Sequence, residues 1–400
     1  MNSTNTERLW NANYNKVMLI NFTLFFSFYL ITPLLPLYMS ETFHSSKDVI
    51  GFVLSGYSVV ALLLRPFSGF MVDSFQRKKV LMLCLLVNFL FFGGYVAGTS
   101  LLSFAILRTL HGGPFGAATV ANSTMAIDVL PSSRRNEGIG YYGLSNNLAS
   151  ATAPMAGLYI YHSTHNFEII FWSALIVAAL GLVLAQGIHT QPRVIEKSNR
   201  QISLDRFFLM RGWFLALNIL FFGLCWGILS SYLAIYGKEE LGITSGTGTY
   251  FLILSAGLIL SRLQGAKSLR KGLLLPNAME GVILSTIGYT LFIACPNMIG
   301  YYASALLIGL GNGHMWPAFQ NMIIAVAHHN ERGTANSTIL TAWDLGMGVG
   351  VLVGGVVAEH YGYGTTFWTM AVIHIIGMAT FFAITSPHYK KLINIMKNNS

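Results

Sequence analysis

The sequence predicts an all-α integral membrane protein with twelve transmembrane helices in two related halves. Three observations carry this. Charged residues make up only 10% of the 400 residues, and 54% are hydrophobic, whereas soluble domains carry about 25% charged residues. Apolar runs of roughly 20 residues, enough to cross a bilayer core of about 30 Å, recur along the whole length. The basic residues, finally, are distributed by side. Of the 24 Lys and Arg, Lys47 and Lys238 fall on one side, Arg65, Arg108 and Arg262 lie within spans, and the other 19 fall on the opposite side. Cytoplasmic loops carry such an excess, so both termini are expected in the cytoplasm. The net charge of +9 then reflects topology, and no nucleic-acid partner is expected.

The spans are read at about 16–39, 49–72, 80–99, 102–127, 138–161, 167–189, 212–236, 247–266, 273–294, 298–326, 333–358 and 364–386. The first lacks a small-residue cleavage site and is expected to be a retained helix. The longest internal polar stretch, His189 to Arg211, divides the chain into an N-terminal half (1–189), a linker (190–211) and a C-terminal half (212–400). The halves echo each other. Leu54-Ser55-Gly56 with Arg65 in the second span matches Leu254-Ser255, Gly257 and Arg262 in the eighth. Arg134-Arg135-Asn136-Glu137-Gly138 matches Glu331-Arg332-Gly333.

Between the second and third spans lies a very short turn, Gly69-Phe70-Met71-Val72-Asp73-Ser74-Phe75-Gln76-Arg77-Lys78-Lys79. It resembles signature motif A of the major facilitator superfamily, G-x-x-x-D-R-x-G-R-R. Gly69, Asp73, Arg77 and Lys78 match, while Ser74 and Gln76 depart. The resemblance covers essentially the whole chain. It implies two pseudo-symmetric six-helix bundles with a substrate site between them, alternating access, and a gating latch from Asp73 to the start of the eleventh span near Gly333 and Thr334 in the outward-open state. The second half has no such acid, since the matching position is Leu269.

Arg108 lies roughly 10 Å into the fourth span at 1.5 Å per residue. An arginine at that depth is costly and should face a cavity or pin helices through carbonyls. Arg108-Thr109-Leu110-His111-Gly112 resembles motif B of proton-coupled members, with His111 in place of the usual Gln. Asp344 is the one acid near the middle of a span. A mid-membrane carboxylate can bind and release protons, which makes Asp344 the leading coupling candidate, with Arg108 and His111 beside it. Helix-to-helix hydrogen bonding is the structural alternative for each. Asn21, Tyr29, Asn146, Asn147, Asn312, Trp316, Gln320 and Trp343 are candidate cavity residues or interhelical struts. Gly140, Pro154 and Gly157 resemble a degenerate antiporter motif C, with alanines for two glycines and Leu158 for the last. That resemblance implies export.

The resemblance, with the Glu331–Ser337 and Asp344-Leu345-Gly346 segments, points to the twelve-helix drug and metabolite:proton antiporter branch, similar to bacterial arabinose-efflux permeases. The expected function is proton-coupled export of a small organic molecule by a multi-pass monomer in the bacterial inner membrane. The partners are a small-molecule substrate, protons and the lipid bilayer. Two alternatives stand beside it: a proton-coupled importer or facilitator of a sugar, nucleoside or organic acid, and a non-transporting membrane receptor or scaffold. No enzymatic motif, metal spacing or cofactor signature is present. Cys84, Cys225 and Cys295 sit in or beside apolar runs and read as buried small hydrophobes.

Overall fold

The apolar runs form helices because only an intrasegment hydrogen-bond ladder satisfies the backbone away from water. The computed structural model describes residues 8–45, 47–98, 100–190, 207–243 and 247–398. Most of the expected linker, 191–206, lies outside the described residues. The helices are α1 (Ala12–Ile31), α2 (Leu35–Phe43), α3 (Lys47–Ser74), α4 (Arg77–Ala97), α5 (Leu101–Val129), α6 (Arg135–Thr164) and α7 (Phe167–Gln186). They continue with α8 (Trp213–Glu239), α9 (Thr247–Arg270), α10 (Leu274–Ala294), α11 (Met298–Val326), α12 (Arg332–Thr380) and α13 (Ser386–Asn398).

Local chemistry sets the ends. Asn11 accepts from the Tyr14 N–H, and Ser100 and Ser103 form a capping box at α5. Asn297 caps α11 through the Gly300 N–H. These side chains take up N–H groups that a helix start leaves open. α12 is two helices joined at Gly362, whose φ of 81° breaks the ladder, a conformation only glycine adopts cheaply. The eleventh and twelfth spans of the sequence are its two parts. α1 and α2 are joined by a 3-10 turn, Thr32–Leu34, at Pro33.

Among the described residues, eight segments are long and apolar enough to cross a membrane. The long helices outside that set are α5, α6 and α11. α5 packs against α1, α3 and α4, and α11 against α8, α9 and α10. α5 and α11 are thus enclosed by neighbours and tolerate the Gly, Asn and His residues that lower their hydropathy.

The chain divides into two compact units. The first holds α1–α7 together with Asn330–Ser337. Its core joins Leu30, Tyr38, Phe92, Tyr95, Phe104 and Phe171. The second holds α8–α13 apart from that segment, together with Ile139–Tyr141 of α6. Its core joins Ile228, Tyr236, Tyr250, Phe292, Tyr301 and Phe367. In each unit the same pattern recurs: α3 and α4 pack on α5, and α9 and α10 pack on α11.

Within the second unit α12 runs against α8 so closely that a Cβ at Gly346 would collide with the Leu220 carbonyl, whereas Gly348 has nothing within 4 Å. Overpacking costs about 1–3 kcal/mol. Gly346→Ala should therefore lower the thermal unfolding midpoint of purified protein, and Gly348→Ala should leave it unchanged or slightly raised. Equal midpoints for the two variants would contradict this packing.

Candidate functional site

The polar residues of the first unit gather in two places. The first is the end of α3. Asp73 Oδ1 accepts the Gly333 N–H at 2.9 Å. Asp73 Oδ2 accepts the Thr334 N–H at 2.7 Å and the Thr334 hydroxyl at 3.0 Å. These N–H groups open α12 and would otherwise lack acceptors, and the carboxylate also faces the positive end of that helix dipole. Gly69 makes the approach possible: a Cβ there would lie 2.6 Å from Ser337 Cβ and 2.9 Å from the Gly333 carbonyl. Ser337 closes the contact, donating to the Arg65 carbonyl at 2.6 Å.

Arg77, four residues on from Asp73, bonds it at 3.2 Å and also pairs with Asp128 at the end of α5. Asp128 in turn takes Arg332 at 3.3 Å. Lys78 turns away and donates to the Gln186 and Ile188 carbonyls at 2.9 and 2.7 Å, closing the end of α7. Outside the spans, burial lowers the Arg135 guanidinium from its ordinary value, and Asp128 opposes that shift. Asp128, like Arg332, is a member of this network that the sequence did not single out as functional. Its partners are 51 and 204 residues away, and the one signal was an acid at a strongly basic end.

The second place lies around Arg108 and His111 on α5. Arg108 is 3% exposed. Its guanidinium carbon sits 4.1 Å from the Tyr57 ring centroid and 5.5 Å from that of Phe28, a cation–π arrangement. Its Nε and Nη1 are buried without a hydrogen-bond partner, as is the Tyr57 hydroxyl. His111 is the opposite case. Nε2 pairs with Asn88 Oδ1 and Nδ1 with the Tyr95 hydroxyl, both at 2.8 Å. A neutral ring donating from Nε2 satisfies all three groups, so this geometry is that of a strut among Phe91, Phe92 and Tyr57.

Asn21 is likewise bonded inside the first unit. It donates to Ser145 Oγ at 2.8 Å and accepts from the Tyr142 hydroxyl at 2.7 Å, which ties α1 to α6. Tyr29 packs on Phe25 and Phe28. Asn146 Oδ1 and Asn147 Nδ2 are buried without hydrogen-bond partners. Pro154 lies within α6, and at Gly157 that helix meets α1 so closely that a Cβ would strike the Leu30 carbonyl.

In the second unit, Trp343 of α12 meets Trp316 of α11 edge-on at 5.1 Å and Trp226 of α8 at 6.3 Å. Asp344 follows Trp343 and is half-buried. Trp226 is the aromatic that sequence reasoning passed over, because a tryptophan in a span reads equally as an interface anchor. Asn312 accepts from Ser285 at 2.9 Å and Gln320 is buried. The Gly140 carbonyl accepts from Arg262 at 3.0 Å. His374, also unnamed by the sequence, is fully buried against Tyr289 and bonded to Thr286 at 2.9 Å.

The family model described as Major Facilitator Superfamily matches residues 17–277 and 278–397. The chain belongs to the Major Facilitator Superfamily. It is 21% identical over 351 residues to the staphylopine export protein of Staphylococcus aureus, covering 84% of this chain and 87% of that one. It is 22% identical over 389 residues to the multi-drug resistance efflux pump PmrA of Streptococcus pneumoniae, covering 92% and 94%. Among solved structures, the human organic anion transporter MFSD10 superposes with a TM-score of 0.77 at 17% identity, covering 92% of this chain and 98% of that one. The all-helical membrane fold is thus the facilitator fold, and the protein is a transporter rather than an enzyme.

The Asp128 network generates a prediction. Arg77 is almost fully buried and Asp128 mostly so, and a charged hydrogen bond contributes about 1.5–3 kcal/mol. In a double-mutant cycle of Arg77→Ala and Asp128→Ala read by thermal unfolding, the two effects should be clearly less than additive. Strict additivity would show that the pair is not coupled.

Proposed function

We propose that this transporter is a proton-coupled antiporter that exports a small organic molecule by alternating access. In this reading it resides in the bacterial cytoplasmic membrane with both termini in the cytoplasm. The observation that carries the reading is the likeness, over more than four-fifths of the chain, to two proteins named as an exporter and an efflux pump. The Pro154 and Gly157 pair in α6 supports it.

Coupling is assigned to Asp344, a carboxylate well inside α12 beside the Trp226–Trp316–Trp343 cluster. An acid at that position exchanges a proton with whichever side the site faces, and the substrate's arrival favours its release. Arg108 never deprotonates, so it serves by fixed charge, and His111 supports the helix that carries it. Gating is assigned to Gly69, Asp73, Arg77 and Lys78. The Asp73 bonds to Gly333 and Thr334 belong to one access state and must break for the other.

Proteoliposomes with an imposed pH gradient test the reading, with fluorescein and ethidium as anionic and cationic probes. At least one probe should be concentrated only while the gradient lasts. Asp344→Asn keeps shape and hydrogen bonding but carries no proton, and should reduce this by at least about tenfold while the protein stays folded. Wild-type gradient-driven concentration in Asp344→Asn would remove Asp344 from coupling. Gradient-independent movement of both probes would favour a facilitator.

A further inference from the structure

We propose that Arg108 and Tyr57 form the recognition site for an acidic group on the exported molecule, so that the substrate is an organic anion with a flat apolar body. The inference rests on the export reading and adds a substrate class to it. The guanidinium is buried, and Nε and Nη1 have no hydrogen-bond partner. Among the described residues no carboxylate forms an ion pair with it. The Tyr57 hydroxyl, on the ring that lies 4.1 Å from the guanidinium carbon, is buried and unpartnered as well.

Neighbouring groups do not fill the gap. His111 is committed to Asn88 and Tyr95, the Tyr95 hydroxyl reaches the guanidinium but leaves Nε and Nη1 without a partner, and the faces of Phe28 and Tyr57 attract the cation without accepting its N–H bonds. A buried cation of this kind is costly in a membrane protein unless something supplies a counter-charge. The group that satisfies these three donors at once is a carboxylate or similar oxyanion. It offers only acceptors, pairs with a guanidinium through charge-assisted bonds, and takes the Tyr57 O–H as a further donor. Phe25, Phe28, Tyr57 and Phe115 pack ring against ring here, a lining suited to an aromatic or otherwise flat apolar body.

Isothermal titration of protein in nanodiscs would test this without any gradient, using naphthoate and its neutral isostere naphthamide in chloride-free buffer and again with chloride. Naphthoate should bind at least about tenfold tighter than naphthamide. Arg108→Gln should erase the difference, and Arg108→Lys should restore part of it. Tyr57→Phe, which keeps the ring packing, should weaken naphthoate by about threefold or more and naphthamide by less; it serves if Arg108→Gln does not fold. Equal affinities for the two probes, no naphthoate binding up to about 5 mM, or a preference unchanged in Arg108→Gln would overturn the proposal. So would chloride binding at Arg108 without any preference for naphthoate, which marks an inorganic anion site. Because binding is read without transport, failure of the export reading would leave this result standing, and failure here would leave export untouched.

Discussion

One carboxylate constrains the first unit more than any other group. Asp73 satisfies two backbone N–H groups and one hydroxyl at the first turn of α12, and it does so across 260 residues of chain. Gly69 must lack a side chain for the helices to come that close. Arg77 must stand four residues from Asp73 to balance its charge, and Asp128 must then accept from Arg77 and Arg332 together. Each requirement follows from the previous one. A capping contact of this kind contributes roughly 0.5–2 kcal/mol, far too little to build a fold but enough to bias two states of similar energy. That is the scale a transport cycle needs, since a lock much stronger than this would stall it.

The polar residues inside the helices separate by how completely they are bonded. Asn21, His111 and Asn312 have partners on neighbouring helices and hold their bundles together. Arg108 and Tyr57 keep buried polar atoms with no partner among the described residues. In a membrane bundle the first condition is what stability asks of a polar side chain, and the second is the condition that the proposed anion would relieve. Residue type alone does not separate them: His111 and Arg108 lie three residues apart on one helix.

This also explains what the sequence could and could not reveal. Spans such as α4 and α7 were legible because helices facing lipid must be apolar. α5, α6 and α11 are less apolar, and α5 and α11 were still readable because glycines and polar residues suit a helix enclosed by others. The meeting of Asp73 with Gly333 and Thr334 was suggested only by family resemblance, because nothing local links positions 260 residues apart. Asp128 belongs to no motif, and its bridging of Arg77 and Arg332 depends on tertiary packing. Trp226 and His374 gave no signal for the same reason. Three tryptophans converge, and one histidine is buried, only after α8, α11 and α12 have packed.

The Asp73 contact as a state-dependent lock is the central claim, and electron-electron distance measurement tests it most directly. Spin labels at the exposed positions Ser132 and Lys271, in protein with Cys84, Cys225 and Cys295 replaced by serine, would report the distance between these two positions. Asp73→Asn offers one fewer anionic acceptor to Gly333 and Thr334, and the lock reading expects the distribution to move toward longer distances with little loss of expression. A distribution identical to that of unsubstituted Asp73 would contradict the account and reduce the contact to a fixed turn between α3 and α12.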